Sequence, residues 1–388
     1  MIILYLISII ILILILLRGY FKLSHPFWYN FEGSYLRYNL YDRIFNNGIK
    51  IQDFTGKIKS YDKKIIANHI NNCDESFIKE FADLIRDHYF SSNNSVYSPN
   101  INNLLPYLSN NNLPSYICIY YEDIMGKIPV GCISSKPLNF HINNFRYYGG
   151  YIDFLCVHKD YRKKDVASKL IHTTQYLNMS PESPHHNKNI QIGIFKRENV
   201  LNNHLMPFVK MNLKIFDMYY WNQNKTIYPN FEIILLDKSN FNLLHIFFNE
   251  EINKYFDCLI FPDFSNILEL INSKNYFIYL LKKLNTIHGI YIFKDSCTKY
   301  NNRRCIECIA VIKTNDCVET NFINCFYNIA DSLKSIFMYI QFETISHNMI
   351  LINHILKHTY SYINTISAWY LYNYIHKSIN PNKVMVIY

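Results

Sequence analysis

Three cations, Arg162, Lys163 and Lys164, stand just before an amphipathic run in which Val166, Leu170, Ile171 and Leu177 share one side of a helix. Ahead of them FLCVH (154–158) reads as a buried strand and KDYRKKD (159–165) as a charged loop. Strand, basic loop, helix is an order that binds anions, because N–H groups at a helix start point outward beside the Arg and Lys charges. Cations at that end oppose the helix dipole, and a bound anion offsets the cost. Taken alone, the pattern fits an ordinary exposed loop about as well.

Other reactive side chains give weaker patterns. Cys156 and His158 lie two apart on an apolar strand. They therefore point to the same side, which favours core packing over an acyl-thiol intermediate. Cys305 and Cys308 form one C-x-x-C, but a zinc site needs four ligands and no second pair follows at a useful distance. RRCIECIAVI reads as a buried strand, and His185 and His186 sit in a polar loop. No metal is expected. The ten cysteines fall mostly inside apolar runs (Cys118, Cys132, Cys156, Cys325), as buried reduced thiols of a cytosolic domain do.

The elements that must position these groups are mixed. Asp74 caps a helix running to about Phe90, with Phe77, Ile78, Phe81, Leu84, Ile85 and Tyr89 on one face. SYICIYY, IPVGCISS and YYGGYIDFLCVH follow as strands. The second half repeats the flavour: FNLLHIFFNEEINKYF is helical, HGIYIFKD and CIECIAVI are strands, and Ile329, Leu333, Ile336, Phe337 and Ile340 mark another helix. The polar NQNKT (222–226) separates the halves. Two α+β halves with short connections argue for one compact two-lobed body.

The 388 residues are 49% hydrophobic and 18% charged, which excludes a disordered chain. Met1–Leu17 carries no charge, and Arg18 and Lys22 follow it. With Gly19–Phe21 it is long enough for a transmembrane anchor over 1–21, and those charges place the body on the cytoplasmic side. No basic segment precedes the run and no small-x-small site follows, so a cleaved signal peptide is not expected. The net charge of +9 is scattered and matches no nucleic-acid signature, so nucleic acid is not an expected partner.

Longer motifs sharpen the anion loop. R-x-x-x-x-A (Arg162–Ala167) resembles the pyrophosphate loop of GNAT acyltransferases, with Asp165 where that pattern has Gly. VGCISSKPLNFHI (130–142) followed by YIDFLCVHKDYRKKDVASKLI (151–171) resembles N-myristoyltransferase (glycylpeptide N-tetradecanoyltransferase), which carries V-G-F-I-S-x-x-P-x-N-I-H-I and E-I-N-F-L-C-V-H-K-x-x-R-S-K-R-L-A-P. WYLYNYIHKSINPNKVMVIY (369–388) resembles that family's ending, HPFWYNF (25–31) its Q-F-W-D-T segment, and YSPN (97–100) its Y-S-P-E. The resemblance spans about residues 25–388 and is strongest at 128–172 and 365–388.

It implies an α+β fold of two GNAT-like acyl-CoA N-acyltransferase lobes, 22–222 binding acyl-CoA and 223–388 on the acceptor side, behind the membrane anchor. It implies transfer of myristoyl from myristoyl-CoA to the N-terminal glycine amine of acceptor proteins, by a monomer. The backbone amides of Phe154 and Leu155 would be the oxyanion donors. Arg162, Lys163, Lys164, Val166 and Ala167 would hold the CoA phosphates, and Phe27 and Trp28 would line the CoA site. The α-carboxylate of Tyr388 would be the base; its ordinary pKa is about 3.5, so burial must raise it.

The acceptor side departs from the family. Y-T-A-G-V-V-L-P reads IFKRENVL at 194–201, Y-W-H-R is replaced within MPFVKMNLKIFD, and the loop before Y-S-P is SSNNSV, without carboxylates. Asp153 stands for the family's Asn. Two alternatives stay open: a non-catalytic relative binding acyl-CoA or lipidated proteins at a membrane, and an acyltransferase with another amine acceptor.

Overall fold

The computed structural model describes residues 2–24, 49–50, 62–89, 95–126, 128–142, 145–180, 190–199, 201, 206–219, 221, 226 and 230–388. In chain order the first half holds α1 (Ile2–Ser24), β1 (Ile49–Lys50), β2 (Ile65–His69), α2 (Glu75–His88), β3 (Ser95–Tyr97), α3 (Ile101–Leu108), β4 (Tyr116–Tyr121), β5 (Pro129–Ile142), β6 (Phe145–Val157), α4 (Val166–Met179), β7 (Ile190–Glu198) and β8 (Val209–Asp217). The second half holds β9 (Phe231–Leu235), α5 (Asn242–Glu250), β10 (Cys258–Phe261), α6 (Phe264–Asn272), β11 (Tyr276–Lys283), β12 (Thr286–Tyr300), β13 (Arg303–Lys313), α7 (Glu319–Leu333), β14 (Tyr339–Glu343), α8 (Asn348–Ile355), β15 (Ile363–Tyr372), β16 (Tyr374–Ile375) and β17 (Val384–Val386).

Each half contains the same device. In the first, β4, β5 and β6 run antiparallel and β6 is followed by α4 and the parallel strand β7. In the second, β11, β12 and β13 run antiparallel and β13 is followed by α7 and the parallel strand β14. A parallel pair cannot close through a tight turn, so each needs its helical crossover. Among the described residues fifteen strands join in one sheet. Strand β15 links the halves, pairing with β7 on one side and β8 on the other.

The halves also exchange strands. β8, from the first, pairs with β14 of the second. β10 and β17, from the second, extend the first: β10 lies antiparallel to the end of β5, and β17 lies parallel to β10. The core follows this exchange, since Phe154, Leu259, Trp369 and Tyr388 belong to one buried cluster.

Local sequence accounts for much of this. The Asp74 side chain accepts from Phe77 N at 2.7 Å and starts α2, whose Phe77, Ile78, Phe81, Leu84 and Ile85 are buried as the periodicity requires. A Cβ on Gly131 would meet Val166 Cγ1 at 2.9 Å and the Cys156 carbonyl at 3.1 Å, so only glycine lets α4 sit this close to β5. Helix α1 is exposed along its described length, and Ile3–Tyr20 is apolar and long enough to cross a bilayer.

Three sequence readings change. The helix read through Ile340 stops at Leu333; Phe337 lies beyond it and Ile340 is in β14. Lys334 caps the helix, and YIQFE (339–343) then forms a strand, which the apparent helical spacing hid. FNLLHIFFNEEINKYF forms a helix only to Glu250, followed by the short turn Ile252–Lys254. His158 is not a strand residue: β6 ends at Val157 and the His158 side chain is 28% exposed. Phe27, Trp28, His185, His186 and residues 222–225 lie outside the described residues.

Candidate active site

Strands β6 and β7 pair only from Tyr148↔Ile190 to Tyr151↔Ile194. Beyond Tyr151 strand β6 leaves β7, which keeps β15 on its other edge from Gly193 to Glu198. The split opens a cavity of about 770 Å³. Its lining includes the apolar Ile133, Ile152, Ile171, Met179 and Ile192 and the charged Lys196, Glu198, Lys294 and Glu307.

At the split β6 bulges. Cys132 faces Cys156 and Ser134 faces Asp153, so the single residue Ile133 opposes both Phe154 and Leu155. Phe154 has φ 53°, in the left-handed region that non-glycine residues avoid. Its ring is held edge-on by Phe81 at 5.8 Å and Tyr107 at 5.5 Å, which fixes the conformation. A bulge takes main-chain amides out of the ladder and aims them elsewhere. Here the Phe154 N–H donates to Asp153 Oδ1 at 2.8 Å, and Asp153 Oδ2 accepts from the Tyr107 hydroxyl at 3.0 Å.

The basic loop follows directly. Residues 162–165 form a turn into α4, and Lys163 (φ 63°) and Asp165 (φ 62°) are both left-handed. Asp165 thus occupies a conformation that glycine adopts freely, and its side chain makes no cap hydrogen bond to α4. Arg162 is tied inward: Nε donates to the Val157 carbonyl at 3.3 Å and Nη2 to the His88 carbonyl at 3.0 Å. Lys164 Nζ lies 4.5 Å over the Tyr161 ring. His158 packs on His88 at 4.0 Å between ring centroids, while Cys156 is buried and donates to the Leu84 carbonyl. The two side chains therefore serve different surroundings.

The last residue enters the same cavity. β17 brings Tyr388 beside Trp369 (5.1 Å) and Tyr151 (5.4 Å), where it is buried. Its main-chain oxygen accepts from the Tyr276 hydroxyl. Its own hydroxyl donates to Glu307 Oε1 at 2.7 Å and accepts from Lys196 Nζ at 3.3 Å.

Around Lys196 lies an ion cluster that sequence reasoning missed. Lys196 Nζ is 2.6 Å from Glu343 Oε1, 2.9 Å from Glu198 Oε1 and 3.9 Å from Glu307 Oε1. Burial raises the Glu343 carboxyl to about 7 although Lys196 opposes the shift. Lys196 in turn holds the Glu198 carboxyl below its ordinary range. Burial alone would lower the Lys196 pKa, yet the three glutamates hold it well above the usual lysine range. The visible signal was Lys196 and Glu198 within IFKRENVL, and Glu307 inside the apolar CIECIAVI.

Of the residues expected at the site, Phe154, Leu155 and Tyr388 line one cavity. Arg162, Lys163, Lys164, Val166 and Ala167 gather at the start of α4 instead. Cys305 and Cys308 are buried in different core clusters. Among the described residues, no group of three or more His, Cys, Asp or Glu side chains could hold a metal ion.

The comparisons with known proteins agree with this architecture. Residues 49–181 match the family model for the N-terminal domain of Myristoyl-CoA:protein N-myristoyltransferase. No curated protein was found to match by sequence. The fold is similar to a crystal structure of Saccharomyces cerevisiae N-myristoyltransferase with bound myristoyl-CoA, at a TM-score of 0.71 and 13% identity over 94% of this chain and 99% of that one. A second structure of the yeast enzyme, with bound myristoyl-CoA and inhibitors, gives a TM-score of 0.71 at 12% identity over 94% and 95% of the two chains. Residues 49–181 thus carry an N-myristoyltransferase N-terminal domain, and the body as a whole has the fold seen in the yeast structures.

Proposed function

We propose that this protein transfers a myristoyl group from myristoyl-CoA to the N-terminal glycine amine of acceptor proteins. One observation carries the reading: the bulge residues Phe154 and Leu155 and Tyr388 line a single cavity whose lining also includes apolar side chains that suit an acyl chain. The Arg162–Ala167 turn would hold the donor's phosphates through the Lys163 and Lys164 charges and the first N–H groups of α4. Arg162 would fix that turn through its two carbonyl contacts.

The amides of Phe154 and Leu155 would stabilise the charge that develops on the thioester oxygen. The Tyr388 α-carboxylate, positioned through Tyr276, would take a proton from the glycine ammonium. The freed amine then attacks the thioester carbon; the C–N bond forms, the C–S bond breaks, and the thiolate leaves with a proton lost from nitrogen. Residues 22–222 would serve the donor and 223–388 the acceptor. The protein would act as a monomer, with α1 anchoring it to a membrane and the body on the cytoplasmic side; flotation of the full chain, but not of a chain lacking 2–24, with lipid vesicles tests the anchor.

A competing reading draws on the Phe154 N–H, which Asp153 already occupies: a relative that binds acyl-CoA without transferring it. Purified protein incubated with myristoyl-CoA and a set of Gly-peptides separates them by mass spectrometry. Acyl-Gly product supports transfer, acyl-CoA binding without product supports the competing reading, and acylation confined to lysine side chains replaces the acceptor.

A further inference from the structure

Lys136 is fully buried and its Nζ has no hydrogen-bond partner. It lies 4.2 Å above the Tyr107 ring, the same tyrosine whose hydroxyl donates to Asp153. In the β5/β6 ladder Lys136 faces Tyr151 and Ser134 faces Asp153. Lys136 and Asp153 are therefore diagonal neighbours on one face of the sheet, about 7–8 Å apart at the backbone and within reach of a lysine side chain.

An amine buried without an acceptor is costly unless it is neutral or finds a partner. Burial, and then the nearby Lys294 charge, hold the Lys136 amine well below the ordinary lysine range against the pull of Asp153 and Asp263. Asp263 is already engaged, accepting from Asn112 N at 2.7 Å and Asn139 Nδ2 at 3.0 Å. Asp153 is engaged too, but on the very N–H that a thioester oxygen would need. While the carboxylate sits there it withholds that donor and sets a negative charge beside the developing one.

We infer that Asp153 is a positioning residue that closes the Phe154 amide in the acyl-free protein, and that Lys136 is the partner to which its carboxylate turns when a thioester carbonyl takes that amide. The inference rests on the reading of the Phe154 and Leu155 amides as the thioester's donors. Lys136 takes up one proton from solvent as the carboxylate arrives, and the ammonium and carboxylate charges then offset one another inside the sheet. Lys136 never touches substrate; it acts only by drawing Asp153 aside.

The test uses the full chain, acyl-CoA labelled with ¹³C at the thioester carbon, and two readouts: the infrared carbonyl band of the bound donor and steady-state transfer to a Gly-peptide. In the wild type the band moves to lower wavenumber on binding. In Lys136→Met the shift shrinks and kcat falls about tenfold at unchanged KM for the donor, since the amide stays closed. In Asp153→Ala the shift is kept, and in the double variant both shift and kcat return to within about twofold of Asp153→Ala.

Rescue by Asp153→Ala is what a merely structural Lys136 would not give. A double variant as slow as Lys136→Met, or a Lys136→Met indistinguishable from wild type, overturns the inference while leaving the proposed transfer intact. Failure of every form to bind acyl-CoA overturns the proposed function, and this inference with it. Lys136→Leu serves as a second apolar variant, with thermal unfolding as the check on folding.

Discussion

The Tyr388 hydroxyl donates to Glu307 Oε1 at 2.7 Å, so the residue that follows β17 is moored to β13 while β17 itself lies along β10. A buried carboxylate oxygen and a buried phenol satisfy one another there. Removing the hydroxyl takes from Glu307 Oε1 its shortest hydrogen bond and leaves it Gln341 Nε2 at 3.4 Å, and a hydrogen bond to a charged group contributes about 1.5–3 kcal/mol. Tyr388→Phe is therefore expected to lower unfolding stability by about 2 kcal/mol in denaturant titration. A variant with unchanged stability would mean that the mooring contributes nothing.

The proposed role of the Tyr388 carboxylate is tested by adding to the chain at that residue. If the Tyr388 carboxylate is the base, one added glycine moves the charge off the site and replaces it with a neutral peptide. Turnover with a Gly-peptide is expected to fall at least about a hundredfold, while acyl-CoA affinity by calorimetry is unchanged. Retention of turnover in the extended protein would remove Tyr388 from the mechanism.

Asp165 holds φ 62° at the entry to α4 without capping the helix. Glycine adopts that conformation without Cβ strain, so Asp165→Gly is expected to stabilise the fold by about 0.5–1 kcal/mol despite its larger unfolded-state entropy. It also removes a negative charge beside Lys163 and Lys164, and the donor's KM is expected to drop about threefold. A lower melting temperature together with weaker donor binding would show that Asp165 makes a contribution the backbone does not reveal.

Glu343 is raised to about 7 by burial, against an ordinary value of 4.5. The folded state then holds a proton that the unfolded chain has lost between those values. Stability from this group is accordingly present below about pH 4.5 and is lost as pH rises through 7. Wild type is expected to lose on the order of 2 kcal/mol across that window relative to Glu343→Gln. Parallel stability–pH curves for the two proteins would place the proton elsewhere in the cluster.

Several elements could be read from the chain because neighbours in sequence decide them. Asp74 and the apolar face behind it define α2, and the order of strand, basic loop and helix around Arg162 is local. The helix read through Ile340 failed because its spacing spans a helix end and a strand start, which pattern alone does not separate. The Lys196 cluster was missed for a different reason. Its members lie on three strands: Lys196 and Glu198 belong to a short charged run on β7, while Glu307 on β13 and Glu343 on β14 look like isolated charges in apolar runs.

By itself the sequence determined the α+β character, an apolar N-terminal helix, the basic turn before α4 and the motif resemblance at 130–171. These depend on periodicity, capping and composition, which act over a few residues. Only the tertiary structure decided that Phe154 and Tyr388 share a cavity, that Asp153 occupies the Phe154 amide, and that Lys136 is buried beside it without a partner. Those facts follow from the parting of β6 and β7 and from the seating of β17 on β10. The pairings Tyr148↔Ile190 and Cys258↔Val384 join residues 42 and 126 positions apart, where no local propensity reaches and only the closing of the sheet sets distance, burial and charge.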